Sequence, residues 1–169
     1  MIAVLADTHS QEGTQLRGRA AEVVERADFV LHAGDFVREP VLDAFESTAN
    51  RLYGVYGNVD DEGVRARLPR VQTITVEGYT IAIVHTVEGG STGLAMFGRE
   101  SGADLVVFGH SHQPAYHWTG ELGLLNPGSH AEPRGNRPGY AELEIEDGVL
   151  HGTIRHPDGT VYERFEITH

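Results

Sequence analysis

The sequence contains no cysteine and no lysine. Without cysteine the chain can form neither disulfide bonds nor a thiolate metal site, so His, Asp, Glu and Asn must hold any bound metal. No apolar run approaches the roughly 18 residues that a membrane-spanning helix needs. The apolar start, Met1 to Ala6, is too short for a signal peptide and has no basic lead-in. We therefore expect a cytoplasmic protein that does not enter membranes.

Positively charged residues are scarce as well. The 13 basic residues are all arginines, and they face 25 acidic residues, for a net charge of −12. Such an acidic surface repels DNA phosphates and anionic membranes, so nucleic acid is not expected as a partner. The composition is typical of salt-loving archaea, where screening reduces the repulsion between carboxylates. An ordinary acidic protein from a GC-rich genome, which favours arginine codons over lysine, is the alternative.

The length and the hydrophobic content, 169 residues and 40%, predict one domain over residues 1–169. Short apolar runs alternate with helical stretches in the first half, and the last third is mostly β. This order predicts an α/β fold with two packed mixed β-sheets flanked by helices. Predicted helices are Gln15–Arg26, Pro40–Ala49, Glu62–Leu68 and Ser91–Ser101. Predicted strands are Ile2–Ala6, Phe29–His32, Leu52–Tyr56, Val71–Val76, Tyr79–Val84, Leu105–Phe108, Ala115–Trp118, Gly123–Leu125, Tyr140–Glu146, Val149–Arg155 and Thr160–Ile167.

Polar clusters follow five of these strands. They are Asp7 and His9, Gly34-Asp35, Gly57-Asn58-Val59-Asp60, His85, and Gly109-His110-Ser111-His112. In α/β sheets ligands gather beyond the carboxyl ends of the strands, so we expect these clusters to meet at one edge. The glycines let the backbone turn sharply and leave room for an ion or a phosphate.

The chemistry of these side chains indicates a metal site. Imidazole, carboxylate and amide oxygen without sulfur suit Mn²⁺, Fe²⁺, Co²⁺, Ni²⁺ or Zn²⁺. Seven ligands are too many for one such ion but suit two ions that share a carboxylate. Two metals about 3.5–4 Å apart can clamp the attacking and leaving oxygens of a phosphoryl displacement.

The order Asp7-x-His9, Gly34-Asp35, Gly57-Asn58-x-Asp60, His85 and Gly109-His110-x-His112 resembles the calcineurin-like metallophosphoesterase superfamily. The short length, His32-Ala33-Gly34-Asp35 and Asn126-Pro127-Gly128-Ser129 resemble its small YfcE-type phosphodiesterase branch. The resemblance extends from the first strand to about residue 130.

The resemblance implies a set of roles. Asp7, His9 and His112 would hold a first metal, Asn58, His85 and His110 a second, and Asp35 would bridge both. A hydroxide between the two divalent transition-metal ions, with Mn favoured, would attack phosphorus in line with the leaving oxygen. Asp35, Asn58 and His110 would be the catalytic members of the set. The implied activity is metal-dependent hydrolysis of a small-molecule phosphate ester, a phosphodiester above all.

Two positions depart from the family pattern. Phosphatases of this superfamily often carry a His after the Asn, which helps to protonate the leaving group, whereas this chain has Val59. Without that acid the site should favour esters with good leaving groups, which fits a diesterase. After His85 the family usually continues with Gly, but this chain has Thr86, which is expected to weaken the second metal. We do not expect Glu88 to add a carboxylate ligand to this metal.

Two other functions compete with this one. The retromer subunit of the same fold keeps much of the metal-site pattern and serves mainly as an interaction module, so a catalytically weak metal-binding scaffold is the main alternative. A nuclease is disfavoured because no arginine cluster stands beside the motifs. A homo-oligomer is compatible with the sequence.

Simpler structural roles remain open for several residues. Asp7 and Asp35 could cap helices, and Asn58 could be only a turn residue. Asp60 fits either a carboxylate that orients a neighbouring His or a plain turn. Arg134 and Arg137 fit either solvated loop residues or phosphate contacts. We expect His32 to be buried and Asn126–Ser129 to shape the rim of the site. His130 fits either a contact with substrate or solvent exposure, and we expect the latter. His117, His151, His156 and His169 carry no motif.

Overall fold

The computed structural model describes residues 1–169 and contains four helices and eleven strands. The helices are α1 (Gly18–Arg26), α2 (Glu39–Thr48), α3 (Glu62–Arg67) and α4 (Gly90–Glu100). The strands are β1 (Ile2–Leu5), β2 (Phe29–His32), β3 (Leu52–Gly54), β4 (Val71–Val76), β5 (Tyr79–Val84), β6 (Leu105–Val107), β7 (Ala115–Trp118), β8 (Gly123–Asn126), β9 (Tyr140–Glu146), β10 (Val149–Arg155) and β11 (Val161–Ile167).

All fifteen predicted elements are present, and most boundaries lie within two residues of the prediction. The largest difference is the start of α1, which was predicted at Gln15 and lies at Gly18. Gln15 has a φ of +56°, in the left-handed region, so the helix cannot include it. Leu16 still packs on the core cluster beneath α1, which explains its apolar character.

The strands form two mixed sheets, as predicted. The first has six strands in the order β11-β10-β9-β1-β2-β3, and the second has five in the order β4-β5-β6-β8-β7. In the first sheet β1, β2 and β3 are parallel, and in the second β5, β6 and β8 are parallel. The remaining pairs are antiparallel.

Three apolar clusters hold the layers together. The largest lies between the sheets and buries 18 residues, among them Val4, Leu31, Ile83 and Val107. A second cluster packs α1 and α2 against the outer face of the six-stranded sheet. A third packs α4 on the other sheet. Apolar burial stabilises the fold by roughly 25 cal/mol per Å², so these faces fix the register of every strand.

This layered arrangement brings the carboxyl ends of parallel strands from both sheets to one edge. The segments after β1 and β2 are joined by a hydrogen bond from Asp7 N to Gly34 O (2.9 Å). Those after β5 and β6 are joined by one from Gly109 N to His85 O (3.0 Å). None of the four helices has the length and apolar character needed to cross a bilayer.

Candidate metal centre

The seven predicted ligands converge at this edge. Five of them form a row of close contacts: His9 Nε2 to Asp35 Oδ2 (3.1 Å), Asp35 Oδ2 to His85 Nε2 (3.1 Å), His85 Nε2 to Asn58 Oδ1 (2.9 Å) and Asn58 Oδ1 to His110 Nδ1 (3.1 Å). We call these five the ligand row. His9 and His110 stand at its two ends, with Asp35 near its middle.

Asp7 and His112 complete the group from the side of the row. The carboxylate oxygen Oδ1 of Asp7 lies 3.6 Å from His112 Nε2, 3.9 Å from His9 Nε2 and 4.0 Å from His85 Nε2. The ligand atoms of Asp7, His9 and His112 all lie within 4.8 Å of one another, and so do those of Asp7, Asp35 and His85. The first triad is the predicted first-metal set, whereas the second places Asp7 beside Asp35, the predicted bridge, and His85 of the second set.

Backbone carbonyls determine which nitrogens of two imidazoles face the centre. Nδ1 of His85 lies 2.7 Å from the carbonyl of Ala33, and Nδ1 of His112 contacts that of Glu132. Because a carbonyl can only accept, both Nδ1 atoms carry hydrogen and both Nε2 atoms face the centre, which is the orientation of metal-bound histidines. Nε2 of His112 is buried and has no hydrogen-bond partner. Such an atom is costly to bury unless a cation occupies the space before it.

The backbone at the site is strained. Positive φ angles are uncommon outside glycine, and residues held there cluster at functional sites. Five of the seven predicted ligands lie in this region: Asp7 (+53°), His9 (+44°), Asp35 (+61°), His110 (+75°) and His112 (+57°). The strained turns aim the side chains at a common point, and this geometry lowers the stability of the fold.

Two of the motif glycines make room for carboxylates. A Cβ on Gly57 would lie 2.0 Å from Asp35 Oδ1, and a Cβ on Gly109 would lie 2.9 Å from Asp7 Oδ2. The predicted free space is therefore filled by the ligand side chains. Any other residue at position 57 would displace the central carboxylate of the ligand row.

Asp60 has neither of the two roles considered from the sequence, because it contacts no histidine and is more than a turn residue. Its buried carboxylate accepts hydrogen bonds from the backbone N–H groups of Gly57 (2.6 Å), Val37 (2.6 Å) and Asp35 (3.0 Å). Burial, the largest influence, raises the pKa of Asp60. The carboxylate ties the loop after β2 to the loop after β3, and so fixes Asp35 relative to Asn58.

Arg65 holds the same loop from outside, a role that no sequence pattern predicted. Its guanidinium donates to the carbonyls of Asp60 (2.8 Å), Asn58 (3.0 Å) and Gly57 (3.2 Å), and lies over the Tyr56 ring. Arg65 is a single arginine beside the motifs and not the cluster whose absence disfavoured a nuclease. The mainly structural engagement of Arg65 explains why it does not amount to a track for a nucleic-acid backbone.

The segment Asn126–Ser129 supports the site through hydrogen bonds, in keeping with its predicted place at the rim. Ser129 Oγ donates to the Asp7 carbonyl (2.6 Å), and Asn126 Nδ2 donates to the carbonyl of Gly109 (3.1 Å). The Asp7 carboxylate in turn accepts the backbone N–H of His110 (2.9 Å). These bonds join the two sheets directly behind the ligands.

The other singled-out residues fall into two groups. His32 is buried as expected, between Thr8 Oγ1 (2.8 Å) and the backbone N–H of Gly34. Glu88 is exposed and contacts no ligand. The expectation of solvent exposure was wrong for His130, which is mostly covered and bonds the carbonyl of Thr14 (2.8 Å). An irregular loop conceals it, and no periodic pattern marks such burial.

The two loop arginines, Arg134 and Arg137, have different contacts. Nη2 of Arg134 lies 3.2 Å from Nδ1 of His9, so this residue reaches the site. The guanidinium of Arg137 instead lies 4.0 Å from the centre of the Tyr162 ring and contacts no ligand. Sequence spacing could not tell them apart, because the loop before β9 has no regular structure.

The two carboxylates at the centre have opposite electrostatic properties. Burial raises the pKa of Asp7 to about 7. Burial also opposes ionisation of Asp35, but hydrogen bonds with His85 and His9 outweigh it and hold the pKa of Asp35 well below its usual range. Burial alone would lower the pKa of His85, yet the nearby Asp35 raises it. The centre thus attracts positive charge, and a cation near Asp7 would keep that carboxylate ionised.

The residues fit divalent transition metals. The donor set has imidazole nitrogen and carboxylate or amide oxygen with no sulfur, and it contains an unpartnered buried nitrogen on His112. The two overlapping triads around Asp7 suit adjacent ions.

Comparison with known proteins gives relatives along almost the whole chain. A probable metallophosphoesterase of Methanothermobacter thermautotrophicus is 31% identical over 165 residues, which cover 91% of each protein. A phosphodiesterase of Methanocaldococcus jannaschii is 25% identical, over 75% of this chain and 82% of its own length.

Solved structures show the same fold. A predicted phosphoesterase from Streptococcus pneumoniae superposes with a TM-score of 0.75 at 24% identity, over 98% of this chain and 96% of its own. Vps29 of Entamoeba histolytica, in complex with Zn²⁺, superposes with a TM-score of 0.78 at 23% identity, over 98% of both chains. The model of the calcineurin-like phosphoesterase superfamily domain matches residues 1–148, which include every ligand candidate. With the fold and the order of its motifs, this match shows that the chain belongs to the calcineurin-like phosphoesterase superfamily.

Proposed function

We propose that this protein is a two-metal phosphodiesterase that hydrolyses a small-molecule substrate. The observation that carries the proposal is the ligand row with the unpartnered His112 Nε2 beside it. A buried nitrogen without a partner is unfavourable, and a cation held by this nitrogen and its neighbours would remove that cost. Bound divalent cations would supply Lewis acidity toward the phosphoryl oxygens and would lower the pKa of an attacking water.

The chain's own groups would divide the work. Asp7, His9 and His112 would hold one ion, Asn58, His85 and His110 the other, and Asp35 would contact both because it lies between His9 and His85. The backbone N–H of Val59 donates to Asp35 Oδ1 (3.0 Å), which fixes the carboxylate and leaves Oδ2 toward the imidazoles. Manganese is the ion that we favour.

The site has no side chain at position 59 that could give a proton to the leaving group. Val59 stands where related phosphatases carry a histidine, and its side chain is 43% exposed and cannot transfer a proton. Good leaving groups need little protonation, so the site should favour esters of acidic alcohols. The similarity to a phosphodiesterase of Methanocaldococcus jannaschii supports a diester. His110 is exposed at the end of the ligand row and is the remaining imidazole that an ester oxygen could reach.

The test is hydrolysis of bis-p-nitrophenyl phosphate and p-nitrophenyl phosphate in high potassium chloride, with Mn²⁺, Ni²⁺ or EDTA. Asp35→Ala removes the central carboxylate, and Glu88→Ala, an exposed carboxylate three residues after His85, is the matched control. We expect metal-dependent turnover that prefers the diester, is lost in Asp35→Ala and persists in Glu88→Ala. A preference for the monoester would overturn the diesterase assignment.

The scaffold is the alternative. It predicts that the protein binds two equivalents of Mn²⁺ in a calorimeter and yet hydrolyses neither ester with any metal. Four large apolar side chains are exposed: Val59 in the loop after β3, Val71 on β4, Met96 on α4 and Trp118 on β7. Metal binding without turnover would direct attention to a protein partner.

A further inference from the structure

Two clefts open beside the metal centre, and they differ in chemistry. One contains His9 in its wall and has a volume of about 550 Å³. The other contains His110 in its wall and has a volume of about 240 Å³. Because His9 and His110 end the ligand row, the clefts adjoin opposite ends of the site. We call them the His9 cleft and the His110 cleft.

Ten of the fourteen residues that line the His9 cleft have polar side chains. They come from the segment between β1 and α1, from the loop before β9 and from the turn between β10 and β11, and include Ser10, Gln15, Arg17, His156 and Asp158. Arg17, at the N-terminal boundary of α1, is exposed and takes part in no salt bridge. These donors and acceptors suit a group rich in hydroxyls or ring heteroatoms.

The His110 cleft has an apolar floor. Val87, Leu94, Phe108, Ala115 and Leu124 form it, and Leu94 and Leu124 are buried. The other side chains in its wall are polar, and His110 among them is the predicted metal ligand. The volume suits a single aromatic ring or a short alkyl chain, and transfer of such a group from water is favourable.

A phosphate held at the ligand row would therefore have a polar cleft at one end and an apolar cleft at the other. A phosphodiester has two ester groups and can fill both, whereas a monoester fills one. We propose that the substrate is an unsymmetrical phosphodiester, with a polar, hydrogen-bonding group in the His9 cleft and a small apolar group in the His110 cleft. This inference rests on the proposed function, because it assumes that phosphate binds at the row.

The apolar cleft is tested by binding, which does not depend on turnover. Phenylphosphonate and methylphosphonate are titrated into the Mn²⁺-loaded protein in a calorimeter. We expect phenylphosphonate to bind about tenfold more tightly, because its ring leaves water for the apolar floor. Equal affinities in the unmodified protein would overturn the apolar part of the proposal.

Variants locate the effect. Ala115→Asp places a charge in the His110 cleft and should abolish the preference for the phenyl compound. Met96→Asp, on the exposed side of α4, introduces the same charge elsewhere and should leave the tenfold preference unchanged. Loss of the preference in Met96→Asp would also contradict the assignment. If Ala115→Asp does not fold, the comparison of the two phosphonates on the unmodified protein still tests the apolar part of the proposal.

The polar cleft is tested with two diesters that share a leaving group, thymidine 5′-(p-nitrophenyl phosphate) and bis-p-nitrophenyl phosphate. Arg17→Ala should lower kcat/KM about fivefold for the thymidine ester alone, the loss expected for one typical hydrogen bond. Arg26→Ala removes the same charge from the other end of α1 and should change neither. Equal effects on both esters would contradict the proposal.

The two sets of results separate the hypotheses. A preference for phenylphosphonate without turnover of any ester would refute the phosphodiesterase and keep the apolar cleft. Turnover without any preference would keep the phosphodiesterase and refute the assignment of the clefts.

Discussion

The guanidinium of Arg134 lies 3.2 Å from Nδ1 of His9, whose other nitrogen faces Asp35 at 3.1 Å. Arg134 has a φ of +50° and Gly135 one of +84°, so a tight left-handed turn carries the side chain to the site. In this contact Nδ1 of His9 accepts, and its Nε2 carries the hydrogen. A metal on Nε2 would move that hydrogen to Nδ1, and the guanidinium would then lose its acceptor and be free to face a phosphate oxygen.

Replacement of Arg134 by glutamine should therefore weaken phosphate binding. We expect the affinity of the Mn²⁺-loaded protein for inorganic phosphate to fall about tenfold, since a charge-assisted hydrogen bond is lost. Arg137→Gln removes an equal charge from a side chain that packs on Tyr162, and it is the control. Calorimetric titration measures both, and an equal loss in the two variants would show that only the overall charge matters.

His112→Ala should remove one of two metal equivalents. The unpartnered Nε2 of His112 lies on the Asp7 side of the centre, while Asn58, His85 and His110 are left intact. Titration with Mn²⁺ should show one equivalent in this variant and two in the unmodified protein and in His117→Ala, whose imidazole is exposed on β7. Two equivalents of unchanged affinity in His112→Ala would count against the assignment.

Asp60→Ala should damage both stability and metal binding. The change leaves three backbone N–H groups without their acceptor and loosens the tie between Asp35 and Asn58. We expect a loss of about 3 kcal/mol in the free energy of unfolding. The neighbouring Asp61→Ala removes the N-cap of α3 and an exposed hydrogen bond from the backbone N–H of Glu39, and it should cost about 1 kcal/mol with metal affinity intact. Urea titration and calorimetry measure the two effects.

His130 should make the metal-free protein less stable in acid. Burial lowers the pKa of His130 from 6.5 to about 4, so between these values the unfolded chain binds a proton that the folded chain does not. Stability is therefore fully present above pH 6.5 and falls as the pH drops toward 4, by up to about 3 kcal/mol.

His130→Gln tests this contribution. Its free energy of unfolding, measured in EDTA from pH 7 to pH 4, should decline less steeply than that of the unmodified protein. His32 adds a decline of its own in both, because burial lowers its pKa too. A parallel decline in the two proteins would show that His130 does not contribute, and His117→Gln provides the reference for an exposed histidine.

The sequence was sufficient to predict the elements and the convergence of the ligands. Apolar runs that end in Asp7, Asp35, Asn58, His85 and His110 mark parallel strands, and the geometry of such sheets brings their carboxyl ends together. The pattern is local, and each cluster lies within a few residues of its strand.

The supporting contacts were not predictable in the same way. The carboxylate of Asp60 binds N–H groups on two loops, and Arg134 reaches His9 across 125 positions. Each depends on loop conformations that no periodicity encodes. The burial of His130 by an irregular segment has the same cause, since loops bury side chains without a repeating pattern.

The ligands come from both halves of the sandwich. Asp7, His9, Asp35 and Asn58 follow strands of the six-stranded sheet, and His85, His110 and His112 follow strands of the other. Ions bound by ligands from both sheets would hold the two sheets together, so that neither sheet could shift against the other without breaking a metal–ligand bond. A shift of the sheets would expose the amide hydrogens of β1 and β6 to exchange. The rate of hydrogen exchange in these strands would therefore report metal occupancy.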